Sequence, residues 1–222
     1  MGCRHRTPTA STSSNEMMPL SSGFESSRPM RTEGSDLLDN GPKPPIVLRR
    51  INAGDLGACI RFPFSLSGVK ALSTLRAARR AFELHGFWRE DGGALAIASA
   101  ADGRLLGTVQ FMRSSPTVHG YEIGYLIHDK GDRGRGYASC ALAEFSRQLF
   151  AERPHCHRLQ LVISVNNEAS WRVAERCGFR REGILRNSGL DANAPEDCFI
   201  YSKVRSDLRT EGRLVQGRPP SG

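Results

Sequence analysis

The run Arg133-Gly134-Arg135-Gly136-Tyr137-Ala138 constrains the fold of this chain more than any other stretch, because of what flanks it. Upstream, Glu122-Ile123-Gly124-Tyr125-Leu126-Ile127 is a short apolar segment that predicts a buried strand within His119 to His128. Downstream, Leu142, Phe145, Leu149 and Phe150 recur at helical spacing and predict a helix from Ala138 to about Glu152. A strand, a glycine-rich turn and a helix start together build an anion site. Glycines let the backbone turn sharply, and the first N–H groups of the helix point outward at the positive end of its dipole. Arg133 and Arg135 add full charges that can fork onto phosphate oxygens. The residues suit a pyrophosphate.

Two common phosphate motifs do not fit. A P-loop needs Lys-Ser or Lys-Thr after its last glycine, and neither follows here. The dinucleotide fingerprint Gly-x-Gly-x-x-Gly fails at Ser139, and no acidic residue stands where a ribose would need one. The run does satisfy Arg/Gln-x-x-Gly-x-Gly/Ala, through Arg133, Gly136 and Ala138. On its own, such a run also reads as an Arg/Gly-rich surface turn.

Further along, Leu159-Gln160-Leu161-Val162-Ile163-Ser164-Val165 predicts a strand. Asn166-Asn167-Glu168-Ala169-Ser170 then opens a helix that carries Trp171, Val173 and Ala174, and Cys177-Gly178-Phe179 closes it. Arg181-Glu182-Gly183-Ile184-Leu185-Arg186 and a last strand, Cys198 to Lys203, follow. The pairing of the Arg-x-x-Gly-x-Ala loop with this Asn-x-x-Ser helix, Gly-Phe and Arg-Arg-Glu-Gly resembles the GNAT acetyltransferase superfamily. Within it, the chain is most similar to the ribosomal-protein (Rim-type) N-acetyltransferase branch. The resemblance covers about residues 46–208 and is strongest over 121–186.

That resemblance implies an α/β (α+β) fold whose central mixed, mostly antiparallel sheet carries helices on both faces. In such proteins two central strands, here those ending near Ile127 and Val165, splay apart to hold the pantetheine arm of acetyl-CoA. It implies direct transfer of an acetyl group to a primary amine, either a small molecule or a protein N-terminus. Cofactor contacts are expected from Leu126, Ile127, Arg133, Gly134, Arg135, Gly136, Tyr137, Ala138 and Asn167, with no metal. Glu122 is the expected base for the amine, and Ser170 the expected acid for the sulfur. Each has a plainer reading: a strand Glu that faces solvent or pairs with an Arg, a structural hydroxyl, and for Asn167 a helix cap. Rim-type chains usually carry Glu two residues after the loop alanine. Here Cys140 stands there, so any support from that acid is missing, and its small apolar neighbours suggest packing. The acceptor is expected to meet Phe62-Pro63-Phe64, His85, Phe87, Trp88, Glu90 and Asp91, which would equally serve an ordinary core. A non-catalytic acyl-CoA-binding module on the same fold is the alternative.

The N-terminal half reads as a strand at Ile46 to Ile51, a helix capped by Asn52 and ended by Pro63, and a second helix over 66–85 stopped by Gly86. A hairpin follows, with strands Ala94 to Ala98 and Leu105 to Met112 around Asp102-Gly103. The order is βααβββαβαββ. Residues 1–45 are rich in Ser, Thr, Pro, Gly and Met without periodicity, and read as a disordered tail; 209–222 read as a flexible second one. Residues 1–45 hold five basic and five acidic side chains, so the chain's +8 charge lies wholly beyond them. That excess suits an anionic cofactor. The arginines are scattered and aromatics make up 7%, which argues against nucleic acid as partner.

Six cysteines at 3, 59, 140, 156, 177 and 198 form no Cys-x-x-Cys pair, and point to a reducing compartment. His155-Cys156-His157 reads as a helix-to-strand loop rather than a metal site. There is no long apolar run and no apolar signal core, and Arg6 stands where N-myristoylation needs Ser or Thr. A cytoplasmic protein with no membrane partner is expected, as a monomer or homodimer.

Overall fold

Seven strands hydrogen-bond into one open sheet in the order β1-β2-β3-β4-β5-β7-β6. They are β1 Ile46–Arg50, β2 Gly92–Ser99, β3 Leu105–Arg113, β4 Gly120–Ile127, β5 Arg158–Ser164, β6 Arg180–Leu185 and β7 Cys198–Val204. Among the described residues four α-helices accompany them: α1 Leu56–Arg61, α2 Leu75–His85, α3 Tyr137–Glu152 and α4 Glu168–Arg176. The computed structural model describes residues 44–61, 74–114, 119–189 and 195–208. The expected tails therefore fall almost wholly outside the described residues. So do Phe62-Pro63-Phe64 and the first part of the helix expected over 66–85. Every pairing is antiparallel except β4 with β5. The expected mixed, mostly antiparallel sheet and the order βααβββαβαββ are both present.

The sheet is sandwiched because its two faces are both apolar for different partners. One face meets α3. Leu142, Phe145 and Leu149 stand on one stripe of that helix with no exposed surface, and pack with Leu95, Ile97, Val109, Phe111, Ile123, Leu159 and Leu161. Each such large side chain contributes about 1.5–3 kcal/mol by leaving water. In β5 the burial alternates, with Leu159, Leu161 and Ile163 inward, as a period-two strand requires. The other face meets α1 and α2 through a smaller cluster of Ile51, Leu56 and Ala78, against which Phe82, Phe87 and Ala94 pack.

Local chemistry explains the boundaries. Asn52 does start a helical segment, but the first piece is a 3-10 turn at Ala53–Asp55 that leads into α1. Asn52 Oδ1 accepts from the Gly54 and Asp55 N–H groups, and Asp55 Oδ2 accepts from the Asn52 N–H, a complete capping box. Arg49 grips the same Asp55 with both terminal nitrogens, at 2.7 and 3.1 Å. Thr74 caps α2 by accepting from the Ala77 N–H, and the Gly86 N–H closes it on the Phe82 carbonyl. None of the helices among the described residues is long and apolar enough to cross a membrane.

Candidate active site

The sheet is split at its centre. β4 and β5 pair only through Gly120, Tyr121 and Glu122, opposite Arg158, Leu159 and Gln160. β4 stays paired with β3 as far as Ile127, and β5 with β7 as far as Ser164. Beyond Glu122, then, each strand keeps its outer neighbour and the two part from each other. In an antiparallel ladder successive residues turn their N–H and C=O groups alternately to the two sides. The stretch Ile123 to Ile127 thus directs part of its backbone into the gap, and the expected contact residues Leu126 and Ile127 lie there.

The glycine run sits at the open end of this gap. Gly134 and Gly136 have φ of +77° and +81°, a left-handed conformation that side-chain-bearing residues adopt at a cost. Gly136 is the N-cap of α3 and offers no side-chain cap to the helix, and the first N–H groups of such a helix can serve an outside acceptor. Asp132 anchors the loop. It is buried and accepts two hydrogen bonds from Arg104 on the β2–β3 hairpin, at 2.8 and 3.1 Å. The Arg104 guanidinium holds its carboxyl below the usual carboxylate range. Of the two loop arginines, Arg133 folds back onto the end of β4. Its Nε donates to the Ile127 carbonyl at 3.2 Å and a terminal nitrogen to the His128 carbonyl at 3.4 Å. Arg133 thus ties the loop to the end of β4, and both Arg133 and Arg135 remain exposed beside the helix start.

The two candidate catalytic residues lie on opposite faces of the sheet. Residues paired directly across strands share a face. Glu122 is opposite Met112 and Gln160, and Gly124 is opposite Gln110, which is in turn opposite Ala94 beside the α1–α2 cluster. Glu122 thus faces the α1–α2 side. It is 5% exposed, and Gln160 Nε2 donates to its Oε2 at 3.3 Å. Ser170 lies on the α4 side. Asn167 caps α4 by accepting from the Ser170 N–H at 3.2 Å, so its cap role is realised in the fold. The Ser170 hydroxyl is 2.9 Å from the Tyr125 hydroxyl, which also donates to the Ser170 carbonyl at 2.9 Å. Burial pushes the Tyr125 phenol well above its ordinary pKa, so it is a neutral donor. Tyr125 is the site residue that the sequence reading missed. Strand alternation does carry the signal, since three residues after Glu122 must face the other way.

Other expected residues do not converge here. Trp88 packs edge-on against Phe111 and Phe145 in the α3-side core, and Phe87 joins the α1–α2 cluster. Glu90 gives its carbonyl to the Tyr121 hydroxyl and, with Arg113, His119, Arg153 and His157, lines a cavity of about 560 Å³ at the other end of β4. His155 and Cys156 border the same cavity. Asp91 pairs with Arg89. Cys140 lies in the first turn of α3 and is partly buried.

A split sheet with a glycine-rich helix start at its mouth is a cleft suited to an extended anionic ligand. The family model for the acetyltransferase (GNAT) domain matches residues 46–180, and the chain belongs to that family. Among curated proteins, it is 31% identical over 100 residues to the ribosomal-protein-serine acetyltransferase of Escherichia coli (strain K12), covering 45% of this chain and 55% of that one. It is 34% identical over 112 residues to the probable N-acetyltransferase YjcK of Bacillus subtilis (strain 168), covering 50% and 61%. The chain thus spans little more than half the length of these relatives. Among solved structures, the dodecameric spermidine N-acetyltransferase of Vibrio cholerae superposes with a TM-score of 0.61 at 18% identity, covering 75% of this chain and 97% of that one. A chimera of that enzyme with hSSAT gives 0.63 at 18% identity, over 74% and 98%. These likenesses concern the fold.

Proposed function

We propose that this protein is an N-acetyltransferase that moves an acetyl group from acetyl-CoA to a primary amine by direct transfer, through a domain spanning about residues 46–208. The observation that carries the reading is the end of β4–β5 pairing at Glu122, with the α3 N-terminus and its two left-handed glycines at the mouth of the gap. An anionic pyrophosphate fits the first N–H groups of α3, with Arg133, Arg135 and Tyr137 beside it. An extended pantetheine arm fits the backbone of Leu126 and Ile127, much as an added strand would.

In this reading the amine nitrogen bonds to the acetyl carbonyl carbon as the carbon–sulfur bond breaks. Glu122, on the α1–α2 face, takes the proton that the amine must lose. Backbone N–H groups near Ile127 hold the charge that develops on the carbonyl oxygen. Ser170, held by Tyr125 and by its place in the cap of α4, gives a proton to the departing sulfur. The position of Glu122 and Ser170 on either side of the gap favours an enzyme over a binding module. Thiol release on mixing the protein with acetyl-CoA and a panel of amines tests the reading. Amine-dependent release is expected; tight acetyl-CoA binding with none would make the protein a binding module.

A further inference from the structure

We infer that Gln110 sets acceptor specificity, by donating a hydrogen bond from its side-chain amide to an oxygen close to the reacting nitrogen of the substrate. This rests on the transfer reading above. Gln110 lies on β3, is only 8% exposed, and its Nε2 is fully buried without a hydrogen-bond partner. Such a group is rare and costly, because burial strips its water and nothing replaces it. Its surroundings say what could. It shares the α1–α2 face with Glu122, and its cross-strand partner on β4 is Gly124, two residues on from Glu122 toward the gap. Gly124 itself contributes no side chain beside the Gln110 amide. The neighbouring glutamine is already engaged, since Gln160 donates to Glu122.

In this proposal the amine approaches Glu122 beside Gly124 and so meets the unfilled N–H donor of Gln110. A substrate with a carbonyl or hydroxyl oxygen near its amine, as in an aminoacyl group or an amino alcohol, satisfies it. A polyamine does not, because its remaining nitrogens are protonated donors and the reacting lone pair is committed to the acetyl carbon. Sites with a buried donor discriminate most strongly against ligands that leave it unpaired.

The test measures acetyl-CoA thiol release by the full chain with three acceptors: an alanyl tripeptide amide, alaninol and spermidine. Wild-type protein should give higher kcat/KM with at least one oxygen-bearing amine than with spermidine, and the first two arms tell a carbonyl from a hydroxyl. Gln110→Leu, and Gln110→Met as a second shape-matched variant, should lose about fivefold to tenfold for the oxygen-bearing amine, the worth of one neutral hydrogen bond. Spermidine turnover should stay as it was. Their melting temperatures should be unchanged or higher, since an unpaired buried donor has been removed, whereas a structural role would lower them. An equal loss for all acceptors, or none, overturns the inference and leaves the transferase reading intact. A wild-type preference for spermidine also overturns it, because the oxygen of Gln110 would then be the group that faces the substrate. No thiol release with any amine sinks both.

Discussion

Replacing Tyr125 by Phe removes one hydroxyl and two contacts, both at 2.9 Å to Ser170. Neutral hydrogen bonds contribute about 0.5–1.5 kcal/mol each, so the change should destabilise the domain by about 2 kcal/mol. For a domain of this size that lowers the melting temperature by roughly 4–8 °C, measurable by calorimetry. The kinetic consequence is more specific. If Ser170 protonates the departing sulfur, Tyr125 acts through it as a positioning residue. Tyr125→Phe should then lower kcat with little change in KM for acetyl-CoA, and Ser170→Ala should do the same. The double variant should lose no more than the worse single one, since groups that act as a unit are strongly non-additive. Additive losses would show two independent roles. A lowered melting temperature with wild-type kcat in Tyr125→Phe would make the pair a structural tie across the split, and the proton would come from elsewhere.

Glu122→Gln keeps the shape of the side chain and its contact with Gln160 but removes the base. The expected loss in kcat is about 10²–10⁴-fold, shrinking at high pH where free amine is abundant; a flat, wild-type pH–rate profile refutes the assignment. Arg135→Ala should weaken acetyl-CoA binding about tenfold or more in calorimetry, as loss of a charge-assisted contact requires, with an effect that fades as salt rises. Unchanged affinity would remove Arg135 from the site. Acid stability gives a test remote from the chemistry. Glu182 accepts from Arg158 and Ser202, and these hold its carboxyl down to about 2, below its unfolded value. A depressed carboxyl stabilises the fold above its unfolded pKa and loses that contribution as pH falls through the folded one. The window thus runs from about pH 5 down to 2. Its side chain is 42% exposed, so solvent screening leaves about 1 kcal/mol. Glu182→Gln should flatten the fall of the melting temperature across that window.

The parts of this site that were legible in the sequence are local ones. A glycine run between an apolar segment and a helical stripe can be read directly, because backbone freedom and side-chain period belong to neighbouring residues. Gly134 and Gly136 do take the left-handed conformation for which glycine was expected. What the loop arginines do was not legible. Arg133 and Arg135 look alike in the sequence, yet Arg133 also donates to the carbonyls of Ile127 and His128. That choice depends on where β4 ends in space. The Tyr125–Ser170 pair spans 45 residues, and the unfilled amide of Gln110 is recognisable only once its neighbours are placed.

Alternation along β4 nevertheless carries information about the site. Glu122 and Tyr125 are three apart in a strand, so one must face α1 and α2 if the other faces α4. In the proposed mechanism the acid Ser170, held by Tyr125, and the base Glu122 are divided in the same way, and such a pair cannot work on one surface of the sheet. It can work only where the sheet is open, with the amine on one side and the sulfur on the other. Under that mechanism, the early end of β4–β5 pairing is what would let residues on opposite faces serve a single reaction. A substitution that extended that pairing past Glu122 should abolish turnover while raising stability.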